Sequence, residues 1–204
     1  MISNKKLLRQ SVLTFLLAGC TVGFNAMNVQ ADVSGGHVQV RNPGTVISDS
    51  IQYGGKTGGN NPTSIIKLYG EASGGTVTLA PENKEITGTF TTGHEGLNKT
   101  ANASGIELMQ GAVNTPGYEG VFAVADDTKI NVKGNGSRIS GAVIMNAQSE
   151  AGTNTIELGK NVSLSYTVEG DSTNSELYGI YNRHGNLETD EVYKQYLWII
   201  PPIS

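Results

Sequence analysis

Few residues in this chain are of a type and spacing suited to chemistry, and each has a plainer structural reading beside it. The histidines are His37, His94 and His184, set in "SGGHV", "TTGHEG" and "NRHGN". A metal site needs several His, Cys, Asp or Glu side chains converging on one point. These three lie far apart among turn-forming residues, so they are expected to be surface turn histidines without a catalytic or metal role. Asp126 and Asp127 in "ADDTK" offer adjacent carboxylates, the ligand type calcium prefers. The repeated glycine–aspartate spacing of calcium-binding solenoids is missing around them, and an acidic turn between strands is expected instead. Asn98, Asn102, Asn135 and Asn161 each meet the glycosylation pattern, which an Asn/Ser/Thr-rich composition produces by itself.

Glycan chemistry needs two carboxyl groups held a few ångströms apart, and the acids here are scattered, mostly in turns, with none paired at stacking positions. No serine–histidine–acid set stands out. "GNGSRISG" is glycine-rich but lacks the strand-to-helix setting of a phosphate-binding loop. The residues therefore predict no catalytic side chain, no cofactor and no metal.

The remaining reactive residue, Cys20, belongs to a leader. "MISNKKLLRQ" is basic and holds no acid, "SVLTFLLAGCTVGF" is an apolar run of signal-core length, and "VQA" ends at Ala31 with Asp32 opening a polar chain. This is the three-part pattern of an export signal, too short to span ~30 Å of hydrocarbon. "LAGC" at Leu17–Cys20 resembles a bacterial lipobox and offers lipid attachment at Cys20 as the alternative. Because "TVGFNAM" prolongs the apolar run beyond it, cleavage between Ala31 and Asp32 is the preferred reading. The cleaved chain then has no cysteine, and disulfides cannot brace it.

Composition narrows the class of whatever follows. Of 204 residues 37% are apolar and 6% aromatic, a thin supply for a globular core, while glycine numbers 27. Val, Ile and Thr nonetheless recur in alternation, which disordered chains lack. Without Lys5, Lys6 and Arg9, the chain carries 11 basic against 18 acidic residues. That balance opposes nucleic-acid binding, which depends on neutralising phosphates.

What must position any site is a set of short strands. "SGIELM" from Ser104, "SGAVIM" from Ser140 and "YGIYN" from Tyr178 align on glycines at 105, 141 and 179, at spacings of 36 and 38. "TVTLAPENKEITG" from Thr76, "VFAVADDTKINVKG" from Val121 and "TIELGKNVSLSYT" from Thr155 share a second form: an alternating pair, a polar turn, another alternating run. Val77, Leu79 and Ile86; Phe122, Val124, Ile130 and Val132; and Ile156, Leu158, Val162 and Leu164 then share one apolar face. Strands this short bury a face only by stacking. The pattern predicts an all-β parallel β-helix (solenoid), with an antiparallel β-sandwich as the alternative. With roughly 18 to 20 residues per coil the repeat spans two coils, and the stack would measure on the order of 40 Å.

The leader followed by "SGAVIMNAQSEAGTNTIELGKNVSLSYTVEG" resembles the passenger region of bacterial autotransporters, a likeness of repeat style across residues 1–182. The resemblance implies a right-handed β-helix displayed at the cell surface, non-enzymatic, with an adhesin-type role toward a host-surface or cell-surface ligand. A carbohydrate-active β-helix enzyme and a small periplasmic lipoprotein are the alternatives. The chain organises as a signal peptide (1–31), a passenger-like solenoid (32–182) and an out-of-pattern tail (183–204). The translocator barrel of that family has no counterpart here, and "LETDEVYKQYLWIIPPIS" departs in texture. The tail is read as the end of a truncated gene product in preference to a cap. An uncovered edge near Tyr178–Asn182 is then expected to favour self-association, and a membrane is met only through a missing barrel or a lipid on Cys20.

Overall fold

Alternating β-branched residues separated by tight polar turns produce strands and little else. The computed structural model of the chain describes residues 32–34, 37–58, 60–92, 100–112, 115–136, 139–147, 154–169, 176–183 and 185–189. The strands in chain order are β1 (Asp32–Ser34), β2 (His37–Val40), β3 (Val46–Ile47), β4 (Ile51–Thr57), β5 (Ser64–Leu68), β6 (Thr76–Leu79), β7 (Glu85–Thr92) and β8 (Ala101–Asn102). They continue as β9 (Ser104–Leu108), β10 (Val121–Val124), β11 (Lys129–Asn135), β12 (Ile139–Asn146), β13 (Thr155–Leu158), β14 (Ser163–Glu169), β15 (Leu177–Asn182) and β16 (Asn186–Thr189). Among the described residues a single turn of 3-10 helix, Gly70–Ala72, interrupts them.

These strands form three sheets. The first runs β1-β2-β5-β9-β12-β15 with β8 beside β12, the second β16-β13-β10-β6-β3, and the third β14-β11-β7-β4. Chain order visits the sheets in rotation, so each strand pairs with the strand one repeat earlier and one repeat later. Every such pairing is parallel, and among the described strands only β1 and β2 meet antiparallel. This excludes the two facing antiparallel sheets of a sandwich. The ladder also runs on past Asn182, because β16 pairs along its length with β13.

Two expectations about the repeat need correction. Ile106 pairs with Ile144 and Ile144 with Ile180, 38 and 36 positions apart, so one repeat is one rung and not two coils. Five parallel strands in the first sheet then give a stack of about 19 Å at the usual strand spacing, half the expected height. The aligned glycines are also offset: Gly105 falls opposite Val143, and a Cβ on Gly141 would overlap the carbonyl oxygen of Ala103. The error is a slip of two residues. Such a slip leaves every side chain on its original face, so alternation alone cannot detect it.

The second family of repeats pairs in the aligned register. Thr76 lies against Val121 and Val121 against Thr155, and the ladder Val77–Phe122–Ile156 points inward, fully buried. Ile86 and Ile130 do the same in the third sheet, and Ile66, Ile106 and Ile144 in the first. Each buried side chain of this size contributes about 1.5–3 kcal/mol relative to exposure. In the first sheet Ala142, Val143 and Ile144 are buried in succession. Gly105 makes room beside this run, since a Cβ there would press on the Val143 carbonyl and the methyls of Val132 and Ile130.

The corner between the second and third sheets is a stack of short turns. Asp127 and Asn161 occupy the same turn position with φ of 62° and 55°, and Lys84 closes the turn below with φ of 58°. Asp and Asn tolerate this left-handed backbone better than most residues. Main-chain bonds continue through the corner: Lys129 N–H donates to the Lys84 carbonyl at 2.8 Å, and Ser163 N–H to the Thr128 carbonyl at 2.9 Å.

Candidate interaction surface

Because alternate side chains of a strand point to opposite sides, every inward ladder has an outward one beside it. On the first sheet that outward row is Gln39, Lys67, Glu107, Met145 and Tyr181, held in register by β2, β5, β9, β12 and β15. Lys67 Nζ lies 2.8 Å from Glu107 Oε1, and Glu107 Oε2 accepts from Thr63 Oγ1 at 2.8 Å. Both charged side chains are largely covered, at 22% and 21% exposure, so solvent screens this pair less than an open one.

A second polar group flanks the row where the chain leaves β2 and β5. Arg41 pairs with Glu71 at 2.6 Å, donates to Gln39 Oε1 at 3.2 Å, and sits 3.8 Å above the centre of the Tyr69 ring. Lys67 Nζ stands 5.8 Å from the same ring. A cation over a tyrosine face at an exposed site is worth about 0.5–1 kcal/mol. Two cations thus flank one aromatic ring, and a glutamate neutralises each. Farther along, Tyr178 and Tyr181 meet edge to face at 5.3 Å, and Glu176 beside Tyr178 raises the pKa of its phenol. The surface presents hydrogen-bonding groups, paired charges and tyrosine rings along one wall. Its carboxylates Glu71 and Glu107 are both engaged by cations, an arrangement suited to recognition of a polar surface.

The residues singled out by type fall elsewhere. His37 is not a surface turn residue: it opens β2, is 6% exposed, and its Nδ1 lies 2.7 Å from the Ser64 carbonyl oxygen. Asp126 and Asp127 do form the turn between β10 and β11, but they bond to the next turn: Lys160 N–H donates to Asp126 Oδ1 at 2.8 Å and Asn161 Nδ2 to Asp127 Oδ1 at 3.0 Å. Asn102 ends β8 exposed, and Asn135 ends β11 with its Oδ1 buried and unpartnered among the described residues. Asp32 begins β1. Cys20, Ala31, His94, Asn98 and His184 lie outside the described residues. No group of three or more His, Cys, Asp or Glu side chains suited to a metal converges among the described residues.

Sequence reasoning missed the Arg41–Tyr69–Lys67–Glu107 group because its members are 28 and 40 positions apart and meet only through strand register. The outward placement of Lys67 and Glu107 in alternating strands was the one available signal. No protein-family model, no curated protein and no solved structure matches the chain.

Proposed function

We propose that this chain is an exported, non-enzymatic surface protein, a right-handed parallel β-helix whose outer wall makes contacts at a cell surface in the manner of an autotransporter passenger. The observation that carries the reading is the rotation of successive strands through three parallel sheets around one apolar interior. Right-handedness follows from the strong preference of parallel crossover connections for that hand. In such a scaffold the interior is committed to packing, and the outward ladders are left to do any recognising. The wall bearing Gln39, Lys67, Glu107, Tyr69 and Arg41 is the contact surface of this reading. Its partner is a polar ligand at a host or neighbouring cell surface.

The test is expression of the full chain with its leader in a bacterial host. Mass spectrometry should find a mature N-terminus at Asp32, and labelling of intact cells should find the chain accessible from outside. A diacylglyceryl-modified Cys20 confined to the periplasm would replace this reading with the lipoprotein one. A panel of glycans incubated with the purified chain should be bound or ignored but not cleaved. Turnover abolished by Glu107→Gln or Glu71→Gln would replace it with the enzyme reading.

A further inference from the structure

One inward ladder of the first sheet changes chemistry partway along. Val40, Leu68 and Leu108 lie opposite one another on β2, β5 and β9, and each is buried. The next two positions of that ladder, on β12 and β15, are Asn146 and Asn182. Asn146 is 0% exposed, and so is Asn154, which immediately precedes β13. Burying an amide costs free energy unless it is hydrogen-bonded, and these are bonded in a row. Gly120 N–H donates to Asn154 Oδ1 at 3.1 Å, and Asn154 Nδ2 donates to Asn146 Oδ1 at 3.2 Å. Asn146 Nδ2 then donates to Asn182 Oδ1 at 2.8 Å, and Asn182 Nδ2 to the Gly185 carbonyl at 3.2 Å. The two ends are a main-chain N–H and a main-chain carbonyl, which cannot exchange roles. All three amides must therefore point the same way.

The main chain closes around this row. Arg183 N–H donates to the Asn146 carbonyl at 3.0 Å, and Asn186 N–H to the Asn154 carbonyl at 2.8 Å. A Cβ on Gly185 would come within 2.7 Å of the Asn154 carbonyl oxygen and 3.0 Å of Asn146 Nδ2. Leucine at 146 and 182 would continue the aliphatic ladder of the preceding strands, so burial alone does not call for amides. What leucine cannot supply is a penalty for misplacement. β15 has a rival register: moving it by two residues sets Gly179 opposite Gly141, as the sequence repeat suggests, and leaves every side chain on its own face. In that register Asn182 falls opposite Ile144, and Asn146 loses its partner. A shift by two the other way sets Ile180 opposite Asn146. Either shift leaves buried amide groups unpaired, and an unpaired buried group costs its full desolvation.

We propose that Asn146, Asn154 and Asn182 form a register lock, a buried polar row that admits one pairing of β15 with β12 and excludes its two-residue neighbours. A buried polar residue of this kind gives up stability relative to an aliphatic one and selects a single arrangement. The row ties two sheets together. Asn146 and Asn182 fix β12 against β15 in the first, while Asn154, bonded to Gly120, stands one residue before the Val121–Thr155 pairing of the second. The lock also decides which residue of β15 stands beside Met145 on the outer wall, namely Tyr181. This inference concerns strand pairing and stands independently of the export and contact-surface reading above.

The experiment uses the full chain carrying Cys20→Ser and reads the register with cysteine pairs. Met145→Cys with Tyr181→Cys reports the observed pairing, because adjacent strands hold such neighbours about 4.7–4.9 Å apart, within the Cα range of a disulfide. Met145→Cys with Arg183→Cys reports the two-residue slip. Air oxidation is followed as loss of both thiols in the monomer on a non-reducing gel. With the asparagines in place, the first pair should link roughly tenfold or more faster than the second, the factor set by the amides that a slip leaves unpaired. With Asn146→Leu and Asn182→Leu together, the two pairs should link at rates within a few-fold of each other. If that variant does not unfold cooperatively, Asn182→Leu alone, which keeps the Gly120–Asn154–Asn146 bonds, is read in the same way. An unchanged preference in the leucine variant, or faster linking through Arg183→Cys with the asparagines in place, would overturn the proposal. Failure of both leucine variants to fold would overturn it too, because the amides would then be holding up the fold and not selecting its register.

Discussion

Two tyrosines show how a chain poor in aromatics uses each one. Tyr118 is fully buried and donates to the Val121 carbonyl at 2.8 Å; Tyr166 donates to the Ala103 carbonyl at 2.8 Å from within the core. Burial pushes the Tyr118 phenol up to about 12 and raises that of Tyr166 as well. A raised acid pKa means that the unfolded chain loses its proton first as pH rises. The associated stability is complete below the unfolded tyrosine value near 10 and declines as pH climbs from there toward about 12. Denaturant unfolding across that window should show this fall, and the double variant Tyr118→Phe, Tyr166→Phe should show a shallower one. At neutral pH, Tyr166→Phe alone should cost about 1–3 kcal/mol by leaving the buried Ala103 carbonyl unpaired, read as a lower denaturant midpoint at unchanged slope.

At the scale of elements, the turns between the second and third sheets were partly legible. "ADDTK" and "GKNVS" announce turns by composition, and the strands flanking them pair in the register that their alignment suggests. The left-handed conformations at Asp127 and Asn161 explain why those residue types stand there. Asn161→Gly should therefore be nearly neutral, whereas Asn161→Val should destabilise by about 1–2 kcal/mol, the cost of a left-handed β-branched residue. A thermal or denaturant series on the two variants checks this, and equal destabilisation by both would show that the Asn161–Asp127 side-chain bond matters more than the backbone. The strands of the first sheet were less legible. Their two-residue offset arises from packing between sheets, and no local pattern encodes that.

Each described sheet is stabilised by contacts between neighbouring parallel strands, so a side chain's value depends on where in its ladder it sits. Phe122, covered above and below by Ile156 and Val77, should cost about 3–5 kcal/mol on change to Ala. Leu187, 48% exposed at the far end of the same ladder, should cost no more than about 1 kcal/mol. Equilibrium unfolding of the two variants side by side measures the contrast, and equal losses would mean that the stack does not share its core between rungs.

What the sequence determined by itself was the class of element and the facing of its side chains. Strand periodicity is local: Val, Ile and Leu at every second position declare an inside and an outside without reference to any neighbour. The approximate repeat is local in the same sense. Only the tertiary structure decided how many residues make a rung, which glycine lies opposite which residue, that His37 is buried, and that Arg41, Tyr69, Lys67 and Glu107 form one group. Each of these depends on the register between strands some 28 to 45 residues apart. Register is set by cross-strand packing and hydrogen bonds, and alternation with a period of two is blind to any even shift.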